Sequence, residues 1–144
     1  MMRHLPTMTL GVLAVCVIAG LARADQVKFK ADLSAANESP AVTSAGKGSA
    51  TASLDTATKT LTWTVEYSGL SGPATAAHIH GPAAVGANAG VLIPFTGDLA
   101  SPIKGSATLT DAQVSDLEAG KMYVNVHTAA NKAGEIRGQL ERAP

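Results

Sequence analysis

The chain is poor in cysteine. Its 144 residues hold one, Cys16, and that one lies in the first 24 residues, which read as a removable leader. What remains has no disulfide and must be held by packing, or by packing helped by a bound ion. Aromatic residues are also scarce: one tryptophan (Trp63), two tyrosines and two phenylalanines, scattered along the chain. With no run of basic residues, this leaves neither the stacking platform nor the positive stripe of a nucleic-acid partner. There is no G-x-S-x-G elbow, no P-loop and no cysteine nucleophile beyond the leader, which excludes the enzymes those motifs serve. The one long apolar run, residues 8–21, is shorter than the roughly 20 residues of a membrane span.

That run has the flanks of an export signal. Arg3 and His4 form a basic n-region, residues 8–21 the h-region, and Ala22, Arg23 and Ala24 an A-x-A cleavage site, with Asp25 as the first mature residue. Val15 before Cys16 is bulkier than a lipobox allows. The expected location is periplasmic or secreted, with no membrane span after cleavage. Loss of Arg3 and Arg23 leaves nine basic against eleven acidic residues, a formal net charge of −2. Residues 25–144 are the length of one domain with a single core.

Period-two alternation dominates the mature chain, as strands half-buried on one face require. Val27, Phe29, Ala31 and Leu33 alternate with Lys28, Lys30 and Asp32. Ala50, Ala52 and Leu54 alternate with Ser49, Thr51 and Ser53. Leu61, Trp63, Val65 and Tyr67 alternate with Thr60, Thr62, Thr64 and Glu66. Strands are also predicted at 74–80, 91–95, 103–109, 121–127 and 135–140, separated by Gly, Pro and Asx clusters. One short helix is predicted after Thr110, which with Gln113 makes a capping box; Gly120 ends it. The fold class is all-β: an antiparallel Greek-key β-sandwich or barrel of seven to eight strands with one short helix.

The chain is organised around Ala77-His78-Ile79-His80-Gly81-Pro82. In a strand, residues two apart face the same way at a separation of about 6.5–7 Å, so His78 and His80 can converge on one metal ion. His127, at the end of another predicted strand, is the only other histidine outside the leader. Three imidazoles with an open fourth position suit copper or zinc; the other reading is three polar residues bonded to backbone at strand ends. Glu38 reads as a solvated loop carboxylate, or as a fourth ligand or a partner of the ligands. Asn125 shares a face with His127 and reads as a hydrogen-bond partner within the site or as turn support. Glu135 and Arg137 share a predicted face, either as a surface ion pair of little energy or with Arg137 steering an anion toward the histidines.

Three stretches resemble the CHRD domain, named from chordin and widespread in exported bacterial proteins: AHIHGPA at 77–83, LSAANESPAVTSAGKGSATASLD at 33–55, and GSATLTDAQVSDLEAGKMYVNVHTAANKAGEIRGQL at 105–140. Where that family often reads Glu-Val-Pro-Pro, this chain has Glu38-Ser39-Pro40-Ala41. The resemblance implies an immunoglobulin-like β-sandwich over residues 25–144 and an extracytoplasmic setting, and carries no activity with it. A weaker similarity is to copper/zinc superoxide dismutases, in the order of His78, His80, His127 and Ala133-Gly134-Glu135-Ile136-Arg137; this chain lacks their bridging histidine, zinc ligands and disulfide cysteines. The expectation is an exported CHRD-domain protein that binds copper or zinc through three histidines. The alternatives are a metal-free structural module that binds another extracytoplasmic protein, and a dismutase-like copper enzyme.

Overall fold

The computed structural model describes residues 25–144. The leader read at 1–24, with Arg3, Cys16 and the cleavage site, lies outside the described residues. In chain order the elements are β1 (Gln26–Ser34), a 3-10 turn (Ala35–Asn37), β2 (Lys47–Asp55), β3 (Thr60–Ser68), β4 (Ala74–His80), β5 (Val91–Pro94), β6 (Ile103–Thr108), α1 (Asp111–Glu118), β7 (Tyr123–Thr128), β8 (Ile136–Gln139) and β9 (Glu141–Arg142). The eight strands expected from alternation are all present. The addition is β9, two residues against Phe29 and Lys30 of β1, too short to leave a periodic signal.

All pairings are antiparallel, in the order β5-β4-β7-β8-β1-β2-β3-β6, with β9 also on β1. The four strands β5-β4-β7-β8 and the four strands β1-β2-β3-β6 join through β1 and β8, whose one ladder pair is Ser34 with Arg137. One cluster is fed by both halves: Phe29, Leu54, Leu61 and Val65 from one, Ile79, Val124, Val126 and Ile136 from the other, each at most 1% exposed. Side chains that alternate inward on each half have only each other to pack against, which gives the sandwich-like arrangement.

A glycine makes room for the one tryptophan on the neighbouring strand. Gly105 of β6 pairs with Trp63 of β3, and a Cβ at Gly105 would stand 2.5 Å from the indole. Trp63 in turn stacks on Phe95, with ring centroids 4.8 Å apart. The helix begins as expected: Gln113 N donates to Thr110 Oγ1 at 3.2 Å and Thr110 N to Gln113 Oε1 at 2.9 Å. Gly120, at φ 70°, follows it, and Leu117 is its buried residue.

The structure departs from expectation at β7. Alternation predicted one buried face, yet all six residues Tyr123–Thr128 are buried. The strand lies between β4 and β8, and contacts from residues 87–89 and 132 cover its outer face. A second departure is Glu135. It sits at the bend before β8 and pairs with serine and threonine side chains, with no ion pair to Arg137.

Candidate metal centre

Register builds the site. Across β4, β7 and β8, His80 pairs with Tyr123 and Tyr123 with Gln139; His78 pairs with Asn125 and Asn125 with Arg137; Ala76 pairs with His127. These positions share the face opposite the core residues Ile79, Val124 and Val126. His127 is therefore the diagonal neighbour of His78, within reach of a long side chain.

The three rings converge. His78 Nδ1 lies 3.0 Å from His127 Nε2. The centroids of His78 and His80 are 5.3 Å apart. One nitrogen from each ring can be chosen so that all lie within 4.8 Å of one another. Ligands at about 2.0–2.1 Å in a tetrahedral shell stand about 3.3 Å apart, so the spacing brackets what a bound ion needs, with a small inward turn of one ring.

Backbone carbonyls orient the ligand atoms. His80 Nδ1 is 3.1 Å from Ala89 O and His127 Nδ1 is 2.9 Å from Lys132 O. A carbonyl only accepts, so each Nδ1 carries the proton and each Nε2 keeps its lone pair; this tautomer follows from the partners. A histidine held through its other nitrogen is the usual arrangement around a metal. His80 Nε2 is buried and has no hydrogen-bond partner. Burial pushes the imidazoles of His78 and His80 below their ordinary value, and the neighbouring rings add to this. Both are then neutral at pH 7, the form that binds a metal.

Around the histidines lies a polar and aromatic shell. The Tyr123 ring is parallel to His80, 2° between planes and 4.8 Å between centroids. The Arg137 guanidinium covers the Tyr123 ring at 3.5 Å, a cation–π contact. The Tyr123 hydroxyl accepts from Ala89 N at 3.2 Å, gripping the residue whose carbonyl holds His80. Asn125, 2% exposed, donates to Glu38 and to Ile136 O. Burial raises the Glu38 carboxyl to about 7, against the pull of Arg137 and Asn125. The group of converging ligands comprises the three histidines; Glu38 reaches them through Asn125 and its pairing with His78.

Glu135 is engaged elsewhere. Fully buried, it accepts from Ser44 Oγ (2.6 Å), Ser71 N (2.8 Å), Ser71 Oγ (2.6 Å) and Thr128 Oγ1 (2.5 Å). Burial alone would raise its carboxyl, but these donors outweigh it and hold it at about 2. It fastens two loops to the end of β7 beside His127.

Sequence reasoning named the histidines, Glu38, Asn125 and Arg137 and passed over Tyr123, Ala89 and Lys132. Tyr123 carried a signal, since it shares a face with His127, but its stacking partner depends on register. The two carbonyls belong to loops and carry no side-chain signature.

Among the described residues no helix is long and apolar enough to cross a membrane. No curated protein and no solved structure matches the chain. A family model, the CHRD domain, matches residues 29–140, a span that takes in seven of the strands whole, β1 from Phe29 onward, the helix and all three histidines. The chain therefore belongs to the CHRD domain family.

Proposed function

We propose that this protein is exported and binds one transition-metal ion, copper or zinc, through His78, His80 and His127. The observation that carries the reading is His80 Nε2: a buried lone pair with no donor, on one of three imidazoles that each bring a ring nitrogen within 4.8 Å of the others. An unpartnered buried acceptor costs about 1–3 kcal/mol, and an ion would satisfy it. His78 Nδ1 and His127 Nε2 would supply the other two ligands, with Ala89 O and Lys132 O holding the rings. Three neutral ligands leave the ion's charge and its fourth position free, which suits storage or transfer of the ion. Export rests on the leader-like residues 1–24.

The test is calorimetric titration of the metal-free protein with Cu(II) and with Zn(II), beside a variant with His78, His80 and His127 all changed to alanine. One-to-one binding that disappears in the variant is expected. Equal uptake by both proteins would refute the site. A second reading is favoured by one contact, the 3.0 Å approach of His78 Nδ1 to His127 Nε2. If His78 donates there, the two rings fasten β4 to β7 without a metal, and the module serves to bind another extracytoplasmic protein. In that case no saturable metal uptake occurs and the triple variant loses stability.

A further inference from the structure

Arg137 is a buried cation with no salt bridge. It is 2% exposed, and its partners are neutral: Asn88 Oδ1 at 2.9 Å, Ala87 O at 2.5 Å and the Tyr123 ring. Among the described residues the one ion pair is Lys59 with Asp111, so Arg137 and Glu38 do not close on each other. Both line the same cavity of about 220 Å³, together with His80, Asn88, Asn125 and Tyr123. Leaving a charge buried and unpaired is costly, and the three acidic or amide side chains that line this cavity, Glu38, Asn88 and Asn125, leave it open. Gly134 keeps the space open: at φ 132° it has no Cβ, and one placed there would collide with the Asn125 amide and stand 2.5 Å from Glu38 Oε1.

We infer that this cavity is a binding site for a small planar monoanion of the carboxylate or bicarbonate class, held by the Arg137 guanidinium. Two coplanar oxygens match the guanidinium fork. The volume is that of about seven waters at about 30 Å³ each, enough for formate, acetate or bicarbonate with a shell of water, and small for a sugar or nucleotide. The side-chain amides of Asn88 and Asn125 line the same space, already donating to Ser39 O and to Glu38 and Ile136 O, so a bound anion would register on their signals. The Glu38 carboxylate faces the same space and opposes a bound anion. This inference does not require the metal. His80 borders the cavity, however, so where the ion binds, each ligand should alter the other's affinity by the same factor.

The experiment is a titration of the full-length, metal-free, 15N-labelled protein with sodium formate at constant ionic strength, with sodium chloride as the reference salt. The Nε–H signal of Arg137 and the side-chain amides of Asn88 and Asn125 are followed by NMR. Saturable shifts of these groups with formate, and not with chloride, are expected. Glu38→Gln removes the opposing charge and should tighten formate binding about threefold near pH 8, the size of a screened like-charge interaction. Arg137→Lys keeps the charge but loses the fork, and should weaken binding about tenfold with the backbone spectrum retained. Should Arg137→Lys fail to fold, Glu38→Gln decides alone. Linear shifts, equal response to chloride, or unchanged affinity in Glu38→Gln would overturn the inference. Failure of the metal site would show separately, as absent Cu(II) or Zn(II) uptake with formate binding intact.

Discussion

Changing Glu135 to glutamine tests whether a buried carboxylate fastens the end of β7 that carries His127. The carboxylate takes four hydrogen bonds, from Ser44, Ser71 (twice) and Thr128. Bonds to a charged group contribute about 1.5–3 kcal/mol each, but freed hydroxyls can turn to other acceptors. The Ser71 N–H cannot turn, and the glutamine amide would direct two hydrogens at a set of donors. The cost near neutral pH is then about 2–4 kcal/mol. Proton linkage gives an independent figure. The carboxyl is held at about 2 against an ordinary 4.5, which at about 1.4 kcal/mol per pKa unit is about 3 kcal/mol. Since the folded value lies below the unfolded one, this stabilisation is fully present above about pH 4.5 and is lost as pH falls through about 2. Urea unfolding of the wild type and Glu135→Gln, near pH 7 and again near pH 2, reads both quantities. A gap of about 3 kcal/mol that shrinks in acid is expected. A gap below about 0.5 kcal/mol near pH 7 would refute the clamp, because that is the size of an ordinary surface substitution. A gap of constant size across the acid range would refute its dependence on charge.

Other perturbations read other parts of the molecule. His80→Ala should abolish stoichiometric Cu(II) uptake in calorimetry, while circular dichroism stays that of the wild type. Because burial holds His78 and His80 below their ordinary value, protons compete with Zn(II) for these two rings only on the acid side of the ordinary imidazole range, and titrations with Zn(II) at falling pH should show affinity lost there and not near neutrality. Gly105→Ala drives a methyl against the Trp63 indole and should cost about 1–3 kcal/mol of overpacking, with a change in Trp63 fluorescence. Thr110→Ala removes half of the capping box and should cost about 1 kcal/mol in thermal or urea unfolding, leaving metal uptake unchanged.

The elements were legible in the sequence because a half-buried strand must alternate, and β1 to β3 do so residue by residue. The helix was legible because Thr110 and Gln113 are the chemistry of its first turn. His78 and His80 were legible as a pair because strand geometry alone puts them on one face. The meeting with His127 needed a fact that local sequence does not hold, the register of β4 on β7. Glu135 and Arg137 looked like partners because they are two apart. In the fold the first lies at a bend and the second in a strand, and each meets residues far away in sequence. The burial of both faces of β7 was illegible for the same reason, since loops from elsewhere supply the cover. Loop carbonyls such as Ala89 O and Lys132 O position rings without leaving any mark in residue type.

The seam between β1 and β8 has a consequence for how the protein comes to exist. Asn37 donates to the carbonyl of Arg137, a residue 100 positions later, next to the ladder pair of Ser34 with that same arginine. The opening strand must wait, unpaired on that side, until nearly the whole polypeptide has emerged. Such distant pairings make for slow folding, on the scale of milliseconds to seconds. The histidines obey the same timetable, since the ring contributed by β7 arrives 47 positions after that of His80. A fragment ending before β7 should therefore hold metal no better than a pair of loose imidazoles, and capture of the ion would report completion of the fold.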